Sequence, residues 1–266
     1  MPFEPGAIVD IAIEAGHSIM AFYDSSETIE VQSKADESPL TKADLAAHET
    51  IVSGLSRNHP DIPVVSEEGR VGDLISSEMA WLVDPLDGTK EFIKRNGMFT
   101  VNIALMKRFE KRWKPVFGVV HAPVTRTTWF GGEGIPATRK TEENTETVSV
   151  NNHTESRVRL VASGSHRTER DEAFANQLGK HDLVRMGSSL KACVVADGTA
   201  DLYPRFGPTS CWDIAAAHAV VESAGGIVVG PRCETLDYDL VDDLLNPFFM
   251  VACSTKWNAI WLQNQD

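Results

Sequence analysis

Apolar residues recur at intervals of three and four near the start of the chain. Ile8, Ile11, Ala12, Ala15, Ile19 and Phe22 form one such stripe, and this spacing predicts an amphipathic helix over 5–23. A second stripe, Leu45, His48, Ile51, Val52 and Leu55, follows Thr41 and stops before Pro60. Thr41 and Asp44 have the spacing of a capping box, so a helix is predicted to start there. The residues between the two helices, 33–39, read as a polar loop.

The period then changes. Short β-prone runs at 64–66, 80–83, 100–106, 114–121 and 127–130 are each closed by Gly, Pro or charged residues, which predicts a mostly antiparallel sheet with meander connections. The stretch 133–152 is the most polar of the chain, with no large apolar residue from 138 to 147. It predicts a boundary or surface excursion near 150. Beyond it, strand candidates at 157–162, 201–203, 226–229 and 249–253 alternate with helix candidates at 167–178, 190–196, 214–224 and 256–263. Strand and helix in alternation is the pattern of an α/β unit. The expected organisation is therefore an α+β unit over 1–150 and an α/β unit over 151–266, with no internal repeat or low-complexity tract.

Composition narrows the function. At roughly 150 residues per domain, 266 residues allow one large or two modest domains, and a 42% hydrophobic, 24% charged chain is of globular type. The 25 Lys and Arg against 38 Asp and Glu leave −13, which argues against binding nucleic acid or an anionic membrane surface, because both run on excess Lys and Arg. A small anionic substrate would need local help, such as a metal ion. No apolar run approaches the roughly 18 residues of a membrane span. The first Lys or Arg is Lys34, so no charged region precedes a secretory core and a cytoplasmic location is expected. Cys193, Cys211, Cys233 and Cys253 contain no CxxC pair, which suits reduced structural thiols better than zinc or a disulfide scaffold. His17, His48, His59, His121, His153, His181 and His218 show no metal-ligand spacing and receive no role.

The sharpest chemical feature is a hydrophobic strand, Trp81-Leu82-Val83, running into Asp84-Pro85-Leu86-Asp87-Gly88-Thr89. Pro85, with fixed φ and no N–H, predicts that the strand stops and a tight turn brings both carboxylates together. Converging carboxylates repel, and a hard cation such as Mg²⁺ relieves the repulsion. Gly88 then leads into a short helix over 89–93. Taken alone, the segment is equally an Asp-Gly turn with solvated acids. Val64-Val65-Ser66-Glu67-Glu68 repeats the arrangement and offers a third carboxylate in Glu67. Asp213 opens an apolar helix, where an ordinary N-cap acid is the alternative, and Asp44 alone is a first-turn acid.

Jointly, Glu67-Glu68, Asp84-Pro85-Leu86-Asp87-Gly88-Thr89, and Trp212-Asp213 ahead of Ala215-Ala216-Ala217 and Gly225-Gly226 resemble the Mg²⁺-dependent, Li⁺-sensitive inositol monophosphatase superfamily, across nearly the whole chain. The stretches Glu91–Gly97, Gly187-Ser188-Ser189-Leu190-Lys191 and Asp201–Pro208 resemble its 3'(2'),5'-bisphosphate nucleotidase branch, of the bacterial CysQ type. The sequence departs from that branch at Gly69-Arg70-Val71-Gly72 and at Met98, the first of which borders the acids.

The resemblance implies a layered sugar-phosphatase fold (αβαβα), with an antiparallel-sheet first half packed on an α/β second half. It implies hydrolysis of the 3'-phosphate of adenosine 3',5'-bisphosphate to AMP and phosphate, a step tied to sulfate assimilation. Two or three Mg²⁺ ions are implied, held by Glu67, Asp84, the carbonyl of Leu86, Asp87 and Asp213. Thr89, with Asp44 or Glu67, would orient and deprotonate the attacking water. Gly88, His166, Ser188, Lys191 and Arg205, with Asp87, Thr89 and Asp213, match positions that contact the substrate or its second phosphate. Each has an ordinary reading: Lys191 a solvated helix residue, Arg205 a surface strand charge, His166 a capping or core histidine. The resemblance also allows peripheral association with the inner membrane, for which a charge of −13 gives no reason. Two other readings stay open: inositol 1-phosphate or fructose 1,6-bisphosphate hydrolysis on the same scaffold, and a non-catalytic cation-binding module. Thr89 speaks against the latter, since a structural metal site needs no water-orienting hydroxyl.

Overall fold

The first helix, α1 (Pro5–Tyr23), forms where its stripe predicts it, with Pro5 in the opening turn where no intrahelical N–H is required. The protein is described by a computed structural model covering residues 3–25, 31–33, 39–152, 157–163 and 169–265. A two-stranded ribbon, β1 (Val31–Ser33) and β2 (Pro39–Thr41), takes both ends of the expected polar loop, whose residues 34–38 lie outside the described set. The next helix, α2 (Lys42–Asn58), starts from the Thr41–Asp44 capping box.

An eight-stranded sheet follows. Its strands are β3 (Val64–Ser66), β4 (Gly69–Val71), β5 (Met79–Asp87), β6 (Thr100–Phe109), β7 (Arg112–Ala122), β8 (Thr127–Gly132), β9 (Ile135–Lys140) and β10 (Thr145–Thr147), with the short helix α3 (Thr89–Ile93) after β5. The order is β10-β9-β8-β7-β6-β5-β3-β4, and every neighbouring pair is antiparallel except β3 with β5. The meander reading holds, with one correction. The polar stretch expected to be an excursion supplies β9 and β10 at the sheet edge, where Thr-rich, charged strands carry no hydrophobic signal and discourage edge-to-edge pairing.

The second sheet orders β12 (His181–Met186), β11 (Val158–Ser163), β13 (Leu202–Arg205), β15 (Phe249–Ala252) and β14 (Ile227–Val229), with β11 parallel to β12 and β13 and the remaining pairs antiparallel. The sequence pattern did not predict β12, an edge strand whose His181, Asp182 and Arg185 interrupt its apolar residues. Helices α4 (Glu169–Gln177), α5 (Leu190–Ala196), α6 (Ala215–Ser223) and α7 (Asn258–Leu262) complete this half.

Alternation along each strand dictates the layers. Trp81, Val83, Ile103 and Phe117 face Ile8, Ile19, Ala47 and Ile51 of α1 and α2. Their neighbours Leu82, Ala104 and Val120 face Val195, Ala216 and Val220 of α5 and α6, and Val161, Tyr203 and Val251 of the second sheet close that same core from the far side. The outer face of the second sheet, with Leu160, Leu202 and Met250, is covered by Phe174 of α4 and Trp261 of α7. The stack is αβαβα, as the resemblance implied. The sheets change over between Thr147 and Val158, while the central core joins both halves. Gly118 allows the closest approach: a Cβ there would stand 2.0 Å from the carbonyl oxygen of Ala216, so α6 lies backbone-to-backbone on the first sheet. All four cysteines are unbridged, three of them buried.

Candidate active site

Two residues three apart on a regular strand point to opposite faces. Asp84 and Asp87 nevertheless share one. Asp84 pairs with Asn102 and Asp87 with Thr100, so Pro85 and Leu86 together oppose Val101. This two-against-one insertion is a β-bulge, and it restores the parity that brings both carboxylates to the face turned toward α5 and α6. The expected tight turn is thereby corrected: β5 continues through Pro85 to Asp87. Proline is tolerated because it lies in the bulge, where the ladder needs no N–H from it. Gly88, at φ +94°, then turns the chain into α3.

Asp213 arrives from the other half. It closes a one-turn 3-10 helix, Cys211–Asp213, just ahead of α6, and a capping box fixes it: the Ser210 N–H donates to Asp213 Oδ2 at 2.9 Å. Asp84, Asp87 and Asp213 each place a carboxylate oxygen within 4.8 Å of the others. Burial, then the charges of Glu67, Asp87 and Asp213, hold the Asp84 carboxyl well above the usual carboxylate range. Burial and then Asp87 push Asp213 up to about 8. A group of crowded acids supplying only hard oxygen donors fits a divalent cation such as Mg²⁺. Glu67, in the β3–β4 turn, stands beside the trio and hydrogen-bonds Asp84.

On the side of α2, Asp44 is 1% exposed and does two jobs. Its Oδ2 accepts from the Thr41 N–H at 2.8 Å, while Oδ1 accepts from the Thr89 hydroxyl at 3.2 Å. Thr89 Oγ1 also lies 3.3 Å from the Leu86 carbonyl oxygen. Since the hydroxyl has one hydrogen and two lone pairs, a proton directed to Asp44 leaves its oxygen able to accept from a water.

On the side of α5, Ser188 sits at φ +54°, and its hydroxyl and the Ser189 N–H donate to Asp87 Oδ2 at 2.8 and 2.7 Å. Lys191 Nζ donates to the Ser188 carbonyl at 2.6 Å and lies 5.5 Å from the Tyr203 ring centroid. Burial pushes its pKa down to about 8, against the pull of Asp87. Arg205, at the end of β13, donates to the Pro208 carbonyl at 3.0 Å, and its charge bears on both Asp213 and Lys191.

The fold thus brings Asp44, Glu67, Asp84, Leu86, Asp87, Gly88, Thr89, Ser188, Lys191, Arg205 and Asp213 together around the acids, while His166 lies outside the described residues. Sequence reasoning missed Thr100, Asn102 and Ser189, all buried: Asn102 and Ser189 hydrogen-bond to Asp87, and Thr100 to Asn102. The signal was present in Asn102, a lone amide within the apolar run Val101–Leu105.

A model of the inositol monophosphatase family matches residues 6–255. The 3'(2'),5'-bisphosphate nucleotidase CysQ of Salmonella typhimurium is 46% identical over 250 residues, covering 92% of this chain and 98% of that protein. The protein of the same name from Haemophilus influenzae is 32% identical, covering 96% of this chain and 95% of its own. Among solved structures, CysQ from Bacteroides thetaiotaomicron, described as a bacterial member of the inositol monophosphatase family, superposes with a TM-score of 0.79 at 39% identity, over 94% of this chain and 97% of that one. An inositol monophosphatase from Anabaena shares the fold, with a TM-score of 0.76 at 22% identity, over 97% of this chain and 93% of that one.

Proposed function

The chain belongs to the inositol monophosphatase family, and we propose that within it the protein is a 3'(2'),5'-bisphosphate nucleotidase that removes the 3'-phosphate of adenosine 3',5'-bisphosphate to leave AMP and phosphate. The observation that carries this reading is the placing of two cations, Lys191 and Arg205, within electrostatic reach of the Asp84–Asp87–Asp213 cluster. A bisphosphate has one anion for each. The relatives' names point the same way.

Asp84, Asp87, Asp213, Glu67 and the carbonyl of Leu86 would hold two or three Mg²⁺ ions. When bound, such ions neutralise the phosphoryl oxygens and make a water more acidic. Thr89, its proton committed to Asp44, accepts a hydrogen bond from the attacking water and aligns it. The water proton passes toward Asp44 or Glu67, the new O–P bond forms in line, the bond to the 3'-oxygen breaks, and that oxygen takes up a proton. Gly88, whose φ of +94° turns the chain into α3, would bring the N-terminus of that helix to the phosphoryl group, and Lys191 and Arg205 would meet the second phosphate. Ser188, its hydroxyl spent on Asp87, contributes through the ligand it holds. His166 is included among the substrate contacts on sequence grounds alone.

We place the protein in the cytoplasm, clearing a by-product of sulfate assimilation. No helix among the described residues is long and apolar enough to cross a membrane. The test is phosphate release from adenosine 3',5'-bisphosphate and, in parallel, from inositol 1-phosphate, with Mg²⁺ and then with EDTA or Li⁺. The expected result is Mg²⁺-dependent, Li⁺-sensitive turnover that favours the nucleotide. Preference for the inositol ester would overturn the substrate assignment, and no turnover of either would overturn the enzyme.

A further inference from the structure

β6 carries two enclosed polar side chains in an apolar run: Thr100 is 0% and Asn102 1% exposed. Val101, Ile103 and Leu105 turn toward α1 and α2, so by strand alternation Thr100 and Asn102 face the acids. Asn102 Nδ2 reaches three acceptors: Asp87 Oδ2 at 3.2 Å, Ser189 Oγ at 3.0 Å and the Trp212 carbonyl at 3.5 Å. Its Oδ1 accepts from the Thr100 hydroxyl at 2.9 Å. This partnership fixes the amide orientation, because Asp87 and the Trp212 carbonyl can only accept and the Ser189 hydroxyl already donates to the Asp213 carbonyl at 2.5 Å.

The consequence is a clamp on metal-ligand spacing. Three donors, Ser188 Oγ, the Ser189 N–H and Asn102 Nδ2, converge on Oδ2 of Asp87, and none of them engages Oδ1. Asn102 touches Asp87 from β5, Ser189 from the start of α5 and Trp212 from the turn that delivers Asp213. Asp87 and Asp213 repel one another, so the distance between them is held by what surrounds them. Among the described residues, Asn102 is the one side chain outside these three segments that hydrogen-bonds to all of them, and it adds to the direct link that Ser189 makes from Asp87 to the Asp213 carbonyl.

We infer that Asn102, held in place by Thr100, is a positioning residue that sets the separation of Asp87 from Asp213 and thereby the affinity of the cluster for a divalent cation. The inference rests on reading that cluster as a metal site and adds the residue that tunes it. A residue that merely filled space or satisfied its own hydrogen bonds would affect melting without affecting metal affinity.

The test uses the full chain with Asn102→Ala, and Asn102→Ser in case the alanine variant folds poorly, alongside Thr100→Val and Thr100→Ser. Mg²⁺ binding is measured by titration calorimetry, with Mn²⁺ as a second probe, and folding by circular dichroism in EDTA. Loss of an outer partner of a metal ligand typically weakens binding by about tenfold or more, and that rise in Kd is expected for Asn102→Ala, with catalysis recovering at excess Mg²⁺. Thr100→Val should give a smaller rise, and Thr100→Ser, which keeps the hydroxyl, the parent Kd. A folded Asn102→Ala or Asn102→Ser protein that binds Mg²⁺ as the parent does and only melts earlier would overturn the inference. Failure of the parent itself to bind Mg²⁺ would instead overturn the metal-site reading beneath it.

Discussion

Carboxylates are drawn partly or wholly out of water at two places in this chain, and their surroundings treat them in opposite ways. Asp201, 4% exposed, takes the Arg159 N–H at 2.8 Å, the Arg159 guanidinium at 2.9 Å and the Asn151 amide at 2.7 Å. Burial works against its charge, but the bonds from Arg159 and Asn151 outweigh it and hold the carboxyl below its usual range. The main chain of Asp201 also bonds to Arg159 and Cys253, so one acid ties β11, the start of β13 and the end of β15 together. Asp84, buried, and Asp213, half-buried, are pushed the other way, each by burial first, then Asp84 by Glu67, Asp87 and Asp213, and Asp213 by Asp87. A buried acid that the chain neutralises itself is structure; buried acids that the chain crowds together are poised for a cation from outside.

The strongest way to break that comparison is to remove one charge from each set. Asp213→Asn should lower kcat/KM by about a thousandfold or more, the several kcal/mol a metal ion contributes to phosphoryl transfer. Its effect on metal-free stability should have the opposite sign. A carboxyl whose folded pKa is raised to about 8 stabilises the fold only while protonated, fully below its unfolded value near 3.8 and progressively less as pH rises through 8. In EDTA at alkaline pH the asparagine variant should therefore melt no lower than the parent. Asp201→Asn should lose about 2 to 3 kcal/mol, because it breaks the partly buried ion pair with Arg159, while activity per folded molecule survives. If thermal melts show both variants losing stability alike, the distinction between the two sets is wrong.

The two sets also differed in how readable they were. The acids of the site announced themselves as Asp84-Pro85-Leu86-Asp87-Gly88-Thr89, because the chemistry needs particular residues at fixed spacing. What the residues did not reveal was the device: the expectation was a turn, and the convergence comes from a bulge that depends on the register of β5 against β6. Helices with strong stripes, α1 and α2, and the inner strands β3 and β6 were legible because burial imposes a period. The edge strands β10 and β12, and β9 beside the edge, were not, since strands half in water need no such period. Asn151–Asp201–Arg159 was invisible for a third reason, that its partners lie up to 50 residues apart.

A third treatment of a buried titratable group sharpens the contrast. His121 on β7 is 4% exposed, bonds Thr128 at 2.8 Å, and presses so closely on α1 that a Cβ at Gly16 would lie 2.6 Å from its ring. Burial, then His17 and Lys140, push its pKa down to about 4, so it is kept neutral. Between pH 6.5 and 4 the unfolded chain binds a proton that the native state refuses, so stability falls as pH drops through that window. From pH 7 to 4.5 the loss attributable to this side chain should be about 2 kcal/mol. His121→Gln, which keeps a partner for Thr128, should flatten that acid limb when melts are compared across pH, leaving the alkaline side unchanged. An acid limb as steep in the variant as in the parent would assign the loss to other groups.

The smallest effect tests the cation that borders the crowded acids. Lys191 is 8% exposed, near enough to Asp87 and Asp213 for both to act on its charge. If the chain used it as a counter-ion, it would do for the acids of the site what Arg159 does for Asp201, and the comparison would fail. Its contacts argue otherwise: Nζ donates to the Ser188 carbonyl and lies over the Tyr203 ring, whereas the donors on Asp87 are Ser188, Ser189 and Asn102. Lys191→Ala should therefore raise KM for adenosine 3',5'-bisphosphate by about tenfold, the scale of one lost charge-assisted contact, and Arg205→Ala should do likewise. KM for a monophosphate ester should change far less. Equal losses on both substrates, with Mg²⁺ affinity altered as well, would mean that Lys191 serves the acids and that the second phosphate is held elsewhere.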